Sequence, residues 1–183
     1  CEEAIEILDK AISLDNFGET PEIFKQSVYN AKGGAQLLLG YYNQALESFH
    51  YSLSINPVDL NSLSNLGVLF RYLGKIESSI KVFETAIAID SSFAIAQTNI
   101  AYAYLSVGRI KDGLTAIEWR WENSNLENSY RDYPASPWNG SQDLSEKTFL
   151  LWPEQGPQDV IIWASVIPKL AAKAMHTIVE INP

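Results

Sequence analysis

The sequence is short of the side chains that carry most small-enzyme chemistry. It holds one cysteine, Cys1, and two histidines, His50 and His176, in 183 residues. A lone cysteine rules out an internal disulfide framework. Two histidines beside it are too few for a Cys/His metal site, so no metal and no cofactor are expected. The same scarcity speaks against a serine or cysteine hydrolase, whose nucleophile needs a nearby base. No run of 18 apolar residues occurs, so no membrane insertion is expected. Positive charge is also scarce. The 13 basic residues face 22 acidic ones, a net charge of −9. That balance argues against nucleic acid as a partner and is read as solubility. The chain also lacks an initiating methionine and any visible secretory or transit segment. It therefore reads as a piece of a longer protein, expected in the cytoplasm.

What the chain does have is a period. Gly40, Gly74 and Gly108 stand 34 residues apart, each preceded by an apolar residue (Leu39, Leu73, Val107). Nine residues after each comes Phe49, Phe83 or Ile117, and seven before each comes Gly33, Gly67 or Ala101. Two units close on Asn56-Pro57 and Asp90-Ser91. A fixed period of this length marks a helical solenoid, and small-then-apolar spacing is what two closely packed antiparallel helices require.

These residues resemble the tetratricopeptide repeat (TPR) family. Gly33, Gly40, Ala45, Phe49 and Pro57 carry the likeness in one unit. Leu63, Leu66, Gly67, Phe70, Gly74, Phe83 and Ala86 carry it in the next, and Tyr104 and Gly108 in the third. The resemblance implies a mainly α fold, a right-handed α-α superhelix of helix pairs. The solenoid is expected over residues 1–125, as a partial repeat at 1–15 and three repeats at about 26–59, 60–93 and 94–125. Helices are expected at about 26–40, 43–55, 60–73, 76–89, 94–107 and 110–122. Thr20 is the expected N-cap and Pro21 the first position of a helix. The spacing from Asp15 to Asn56 exceeds the repeat by seven residues, which predicts a first helix extended by two turns.

All five tryptophans (Trp119, Trp121, Trp138, Trp152, Trp163) fall between residues 119 and 163. Residues 126–146 read as a linker rich in Asn, Ser, Asp and Pro. Lys147 to Trp152 reads as a buried strand, Asp159 to Met175 as a helix and Thr177 to Ile181 as a second strand. Residues 147–183 thus form an expected βαβ unit with parallel strands. Asn139-Gly140-Ser141 is read as a turn.

Two constellations could carry function. The first helix of each pair lines the inner side of a solenoid. On it stand Asn65 and Asn99, 34 residues apart, with Asn61, Arg71, Tyr72 and Tyr102 near them. An amide offers both donor and acceptor, so a row of them can pair with the backbone of an extended peptide. The row resembles the asparagine ladder of O-linked N-acetylglucosamine transferases. In the first unit Ala31 takes that place, with Asn30 beside it. The second constellation is the turn Glu154-Gln155-Gly156-Pro157-Gln158-Asp159, where a glycine feeds a helix N-terminus.

Glu118-Trp119-Arg120-Trp121, Pro137-Trp138-Asn139-Gly140, Lys147 to Leu151, Glu154-Gln155-Gly156 with Asp159, Pro168-Leu170-Ala171 and Val179-Glu180 occur in that order. Together they are similar to the junction in bacterial TPR proteins that continue into a heptosyltransferase-like glycosyltransferase domain. That likeness implies a Rossmann-like segment with Glu154, Gln155, Gly156 and Asp159 as its ligand loop. Gln158 departs from it, standing where members have a second glycine. Trp119 and Trp121 lie two apart on a helix and are read as packing groups rather than sugar platforms.

Three functions follow. The leading one is a scaffold binding a protein or peptide, with no catalytic residue in this chain. The second is the recruiting arm and first strands of a sugar-nucleotide-dependent glycosyltransferase. The third is a solenoid that self-associates through its open ends.

Overall fold

The computed structural model describes residues 1–14, 16–122, 137–152 and 164–180. It divides into two compact units, Cys1–Asn123 and Ser124–Pro183.

The first unit is a run of helices. α1 spans Glu2–Ile12, α2 Glu22–Leu38, α3 Tyr42–Ile55, α4 Leu60–Tyr72, α5 Ile76–Ile89, α6 Ala94–Ser106 and α7 Ile110–Ala116. Each of α2, α4 and α6 packs on the helix that follows it, and α4 also touches α2 and α6. The periodic glycines explain where these helices stop. Gly40, Gly74 and Gly108 have φ of 79°, 71° and 76°, the left-handed region open to glycine. Around Gly74, the Gly74 N–H donates to the Arg71 carbonyl and the Lys75 N–H to the Phe70 carbonyl. Gly40 with Tyr41, and Gly108 with Arg109, repeat the same two bonds. This is the Schellman stop, which satisfies the last carbonyls of a helix. The second helix then opens two residues later, at Tyr42, Ile76 and Ile110.

Gly33 and Gly67 have a different task. A Cβ on Gly33 would lie 2.6 Å from the Phe49 ring, and one on Gly67 would lie 2.6 Å from the Phe83 ring. Both rings are fully buried, each removing enough apolar surface to contribute about 2 to 3 kcal/mol. In the third repeat, Ala101 replaces the glycine and the smaller Ile117 replaces the phenylalanine.

Several boundaries differ from the sequence reading. Thr20 does not cap α2. Its hydroxyl donates back to the Phe17 carbonyl at 2.7 Å, closing the 3-10 turn Phe17–Glu19, and Pro21 is itself the N-cap. The surplus before α2 adds four helical residues rather than two turns, because that 3-10 turn absorbs part of it. The last helix of the solenoid does not run unbroken to residue 122. It tightens into a 3-10 helix over Ile117–Glu122, with the Arg120 guanidinium donating to the Ile117 carbonyl at 3.1 Å.

The second unit holds β1, Thr148–Leu151, α8, Ile167–Ala171, and β2, His176–Val179. The strands pair in parallel, Thr148 opposite His176 through Leu151 opposite Val179. The helix expected from Asp159 to Met175 is interrupted. Ser165 and Val166 form a turn ahead of α8, because Pro168 has no N–H to continue a helix arriving from residue 164. Trp138 stands edge-on to Phe149 at 5.3 Å, and its indole N–H donates to the Gln142 carbonyl. Asn139 Oδ1 accepts from both the N–H and the hydroxyl of Ser141, with Gly140 at φ 90°, so this stretch is a turn.

Candidate functional site

The face built by α2, α4 and α6 owes its geometry to repeated side-chain ties. Asn65 Nδ2 donates to Asn30 Oδ1 at 3.0 Å, and Asn99 Nδ2 donates to Ser64 Oγ at 3.4 Å. The amides therefore bridge successive first helices, each reaching back 35 residues rather than 34. One donor of each is committed to holding the repeats together. The Oδ1 atoms of Asn65 and Asn99 remain as acceptors, in half-buried side chains. Asn30 and Ser64 belong to this row although the sequence reading did not assign them a role. Their signal was the same 34-residue spacing, shifted by one position.

Arg71 and the tyrosines form the second part of the face. The Arg71 guanidinium lies 5.3 Å from the Tyr72 ring centroid and 5.8 Å from that of Tyr102. Both distances fall within the range of cation–π attraction. Tyr72 is 58% exposed and Tyr102 41%, so each ring turns a large part of its surface to solvent. Tyr42, at the start of α3, stacks on Tyr72 with centroids 6.2 Å apart and fixes that ring from behind. Asn61, one residue into α4, is exposed.

Of the sequence-predicted residues, the fold thus brings Asn65, Asn99, Arg71, Tyr72 and Tyr102 onto neighbouring first helices, with Asn61 at the start of the same row. The other predicted cluster, Glu154, Gln155, Gly156 and Asp159, lies outside the described residues. His50 and His176 are both exposed. Among the described residues no group of three His, Cys, Asp or Glu side chains is arranged to hold a metal ion. None of the described helices is long and apolar enough to cross a membrane.

Residues 69–108 match the family model described as TPR repeat. That stretch runs from the end of α4 through α5 and α6 to the third stop glycine. Over those residues the chain matches a TPR repeat. Over 171 residues, 92% of this chain, the sequence is 28% identical to Protein FlbA of Caulobacter vibrioides. It is 32% identical over 89 residues to Superkiller protein 3 of Saccharomyces cerevisiae, and 30% over 90 residues to the TPR repeat-containing protein MJ1428 of Methanocaldococcus jannaschii. The chain spans 27% of the length of FlbA, 6% of that of Superkiller protein 3 and 14% of that of MJ1428. Among solved structures, MamA shares the fold with a TM-score of 0.54 at 22% identity, over 66% of this chain and 67% of that one. The first TPR of Spaghetti (RPAP3), solved bound to an HSP90 peptide, superposes with a TM-score of 0.51 at 18% identity. That match covers 54% of this chain and 78% of the other.

Proposed function

We propose that the face formed by α2, α4 and α6 is the inner, peptide-binding side of a TPR scaffold, and that an extended segment of a partner protein lies along it. The observation that carries this reading is the row of amides. Asn65 and Asn99 are anchored through one donor each, so their remaining acceptors are held in place at the repeat spacing. Fixed acceptors cost little ordering entropy when a backbone N–H arrives. The exposed rings of Tyr72 and Tyr102 add amphipathic surface with few rotatable bonds. The same fold holds an HSP90 peptide in the first TPR of Spaghetti.

The test is Asn65→Ala combined with Asn99→Ala, measured against peptides selected from a random displayed library on the wild-type chain. The expected result is a loss of binding of about tenfold, the scale of one or two net hydrogen bonds, with far-UV circular dichroism unchanged. Equal binding by the double variant removes the amide row from the interface.

A second reading is the recruiting arm and opening strands of a sugar-nucleotide-dependent glycosyltransferase. The parallel pairing of β1 and β2 favours it, since parallel neighbours require a crossover connection. Calorimetric titration of the full-length gene product with nucleotide-diphosphate sugars tests it, and an absence of binding sinks it.

A further inference from the structure

We infer that Asn139 is a site of self-modification, at which the backbone nitrogen of Gly140 attacks the side-chain amide and releases ammonia. The site belongs to the second unit and owes nothing to the peptide-binding reading.

Asn139 and Gly140 are the one Asn-Gly pair in the sequence. A glycine leaves its own nitrogen without a flanking side chain, and a Cβ built at position 140 would meet nothing within 4 Å. The Gly140 N–H has no acceptor among the described residues, so its proton leaves without breaking a hydrogen bond. Asn139 Oδ1 accepts the Ser141 N–H at 3.0 Å and the Ser141 hydroxyl at 2.6 Å. The first of these bonds closes a ring that contains both Asn139 Cγ and the Gly140 nitrogen, so the side chain is folded over the peptide it reacts with. An amide nitrogen does not accept, and the two donors thus fix which end of the side chain faces Ser141. They also draw electrons from Cγ and stand ready for negative charge on Oδ1, the arrangement that stabilises a tetrahedral intermediate.

The step balances without an oxidant or reductant. A solvent base takes the Gly140 proton as the nitrogen bonds to Asn139 Cγ, and the carbonyl electron pair moves onto Oδ1. Its return breaks the bond to Nδ2, which takes a proton from solvent and leaves as ammonia. The product is a cyclic succinimide, in which the Gly140 nitrogen joins both carbonyls of residue 139. Water then adds to one of them and the ring opens. Addition at Cγ gives aspartate, and addition at the main-chain carbonyl gives isoaspartate, whose backbone runs through Cβ and is longer by one carbon. Water has free access, since Asn139, Gly140 and Ser141 are exposed and the turn borders a cleft of about 350 Å³ shared with Trp138 and Lys173.

The two products differ in what they do to the turn. Aspartate keeps it, as Asp143 shows by accepting the N–H and hydroxyl of Ser145 in the same way. Isoaspartate does not. The Asn139 N–H donates to Gln142 Oε1 and the Trp138 indole to the Gln142 carbonyl, and a longer backbone puts these bonds out of register. Elsewhere the fold withholds the reaction. Asp112 also precedes a glycine, but Gly113 is buried in α7, its N–H is donated to the Arg109 carbonyl at 2.9 Å, and Asp112 is paired with Arg109. Asn65 and Asn99 lie inside helices, where the following N–H is bonded one turn back.

The experiment ages the full chain in neutral buffer beside a free peptide of residues 132–147, with peptide mapping by mass spectrometry against synthetic aspartyl and isoaspartyl standards. Asn139 is expected to convert faster in the folded chain than in the peptide, with both products present, while Asn65, Asn99 and Asp112 stay intact. Ser141→Ala is expected to slow the conversion by about tenfold, less than the loss of a donor in a water-excluded site because this turn is exposed. Gly140→Ala should slow it further, since a side chain then flanks the attacking nitrogen. Circular dichroism checks that both variants keep the helical content of the wild type. Conversion no faster in the folded chain than in the peptide overturns the inference, because the turn then does not promote the attack. Equal rates for wild type and Ser141→Ala overturn it as well, by removing the Ser141 hydroxyl from the chemistry.

Discussion

At Gly67 the limit on side-chain size is set by one neighbour, the Phe83 ring 2.6 Å from where a Cβ would stand. The ring is fully buried and has nowhere to retreat. Gly67→Ala should therefore destabilise the fold by about 1 to 3 kcal/mol, the usual range for overpacking. The third repeat shows the remedy, pairing Ala101 with Ile117. Adding Phe83→Ile to Gly67→Ala should recover part of the loss, so the two changes should be non-additive in urea denaturation followed by circular dichroism. A second residue-scale effect lies at Asp90, whose carboxyl is held below its usual pKa by the Ser92 hydroxyl and N–H. A lowered folded pKa stabilises above the ordinary carboxylate value of about 3.9, and that stability is lost as pH falls through the lowered one. Asp90→Asn should thus lower the melting temperature at pH 7, with the gap closing below about pH 4. The chain already contains the neutral version one repeat earlier, where Asn56 Oδ1 accepts the Val58 N–H at 3.3 Å against 2.8 Å for Asp90 and Ser92.

Between helices, the contact joining the first and second repeats is polar where the next one is not. Ser52 and Ser62 share a hydrogen bond of 2.8 Å, Gln26 Nε2 donates to both hydroxyls, and Ser52 donates to the Gln26 carbonyl. All three side chains are buried. One period later the same positions are Leu60, Ala86 and Ala96. The network has been exchanged as a set, which fits the physics, since a half-satisfied buried network is worse than an apolar one. Gln26→Leu alone should cost about 1 to 3 kcal/mol by stripping the serines of a partner. The triple change with Ser52→Ala and Ser62→Ala should come close to wild-type stability in thermal melts. The sequence hid this network because Gln26, Ser52 and Ser62 look like polar mismatches against the hydrophobic pattern. The amide ties were half visible: Asn65 and Asn99 stood out by period, but each bonds one position off register. Arg71 was legible as a neighbour of the face, while the burial of its Nε without a hydrogen-bond partner among the described residues depends on three-dimensional packing that no spacing encodes. The interruption ahead of α8 was open to prediction from Pro168, whose ring is incompatible with the continuous helix drawn through it.

Across the whole solenoid, the architecture was legible because repetition overrides local ambiguity. Each repeat touches only its neighbours, so one pattern, read three times in phase, specifies the stack. Irregularity collects where the pattern weakens. α7 is seven residues long and hands over to the 3-10 helix bearing Trp119 and Trp121. The stop glycines have a further consequence for where the repeats can change length. α2 begins four residues earlier in its repeat than α4 and α6 do, yet all three end in the same phase. Every first helix is thus measured from its C-terminal end. The rim carrying residues 39–41, 73–75 and 107–109 is locked by paired backbone bonds and a left-handed glycine. The opposite rim, at residues 16–21, 56–59 and 90–93, has no such lock, and there the chain has already absorbed extra residues without shifting the helices beyond. Growth of the repeats by insertion therefore has one permitted edge, and new loops on this scaffold would gather along it.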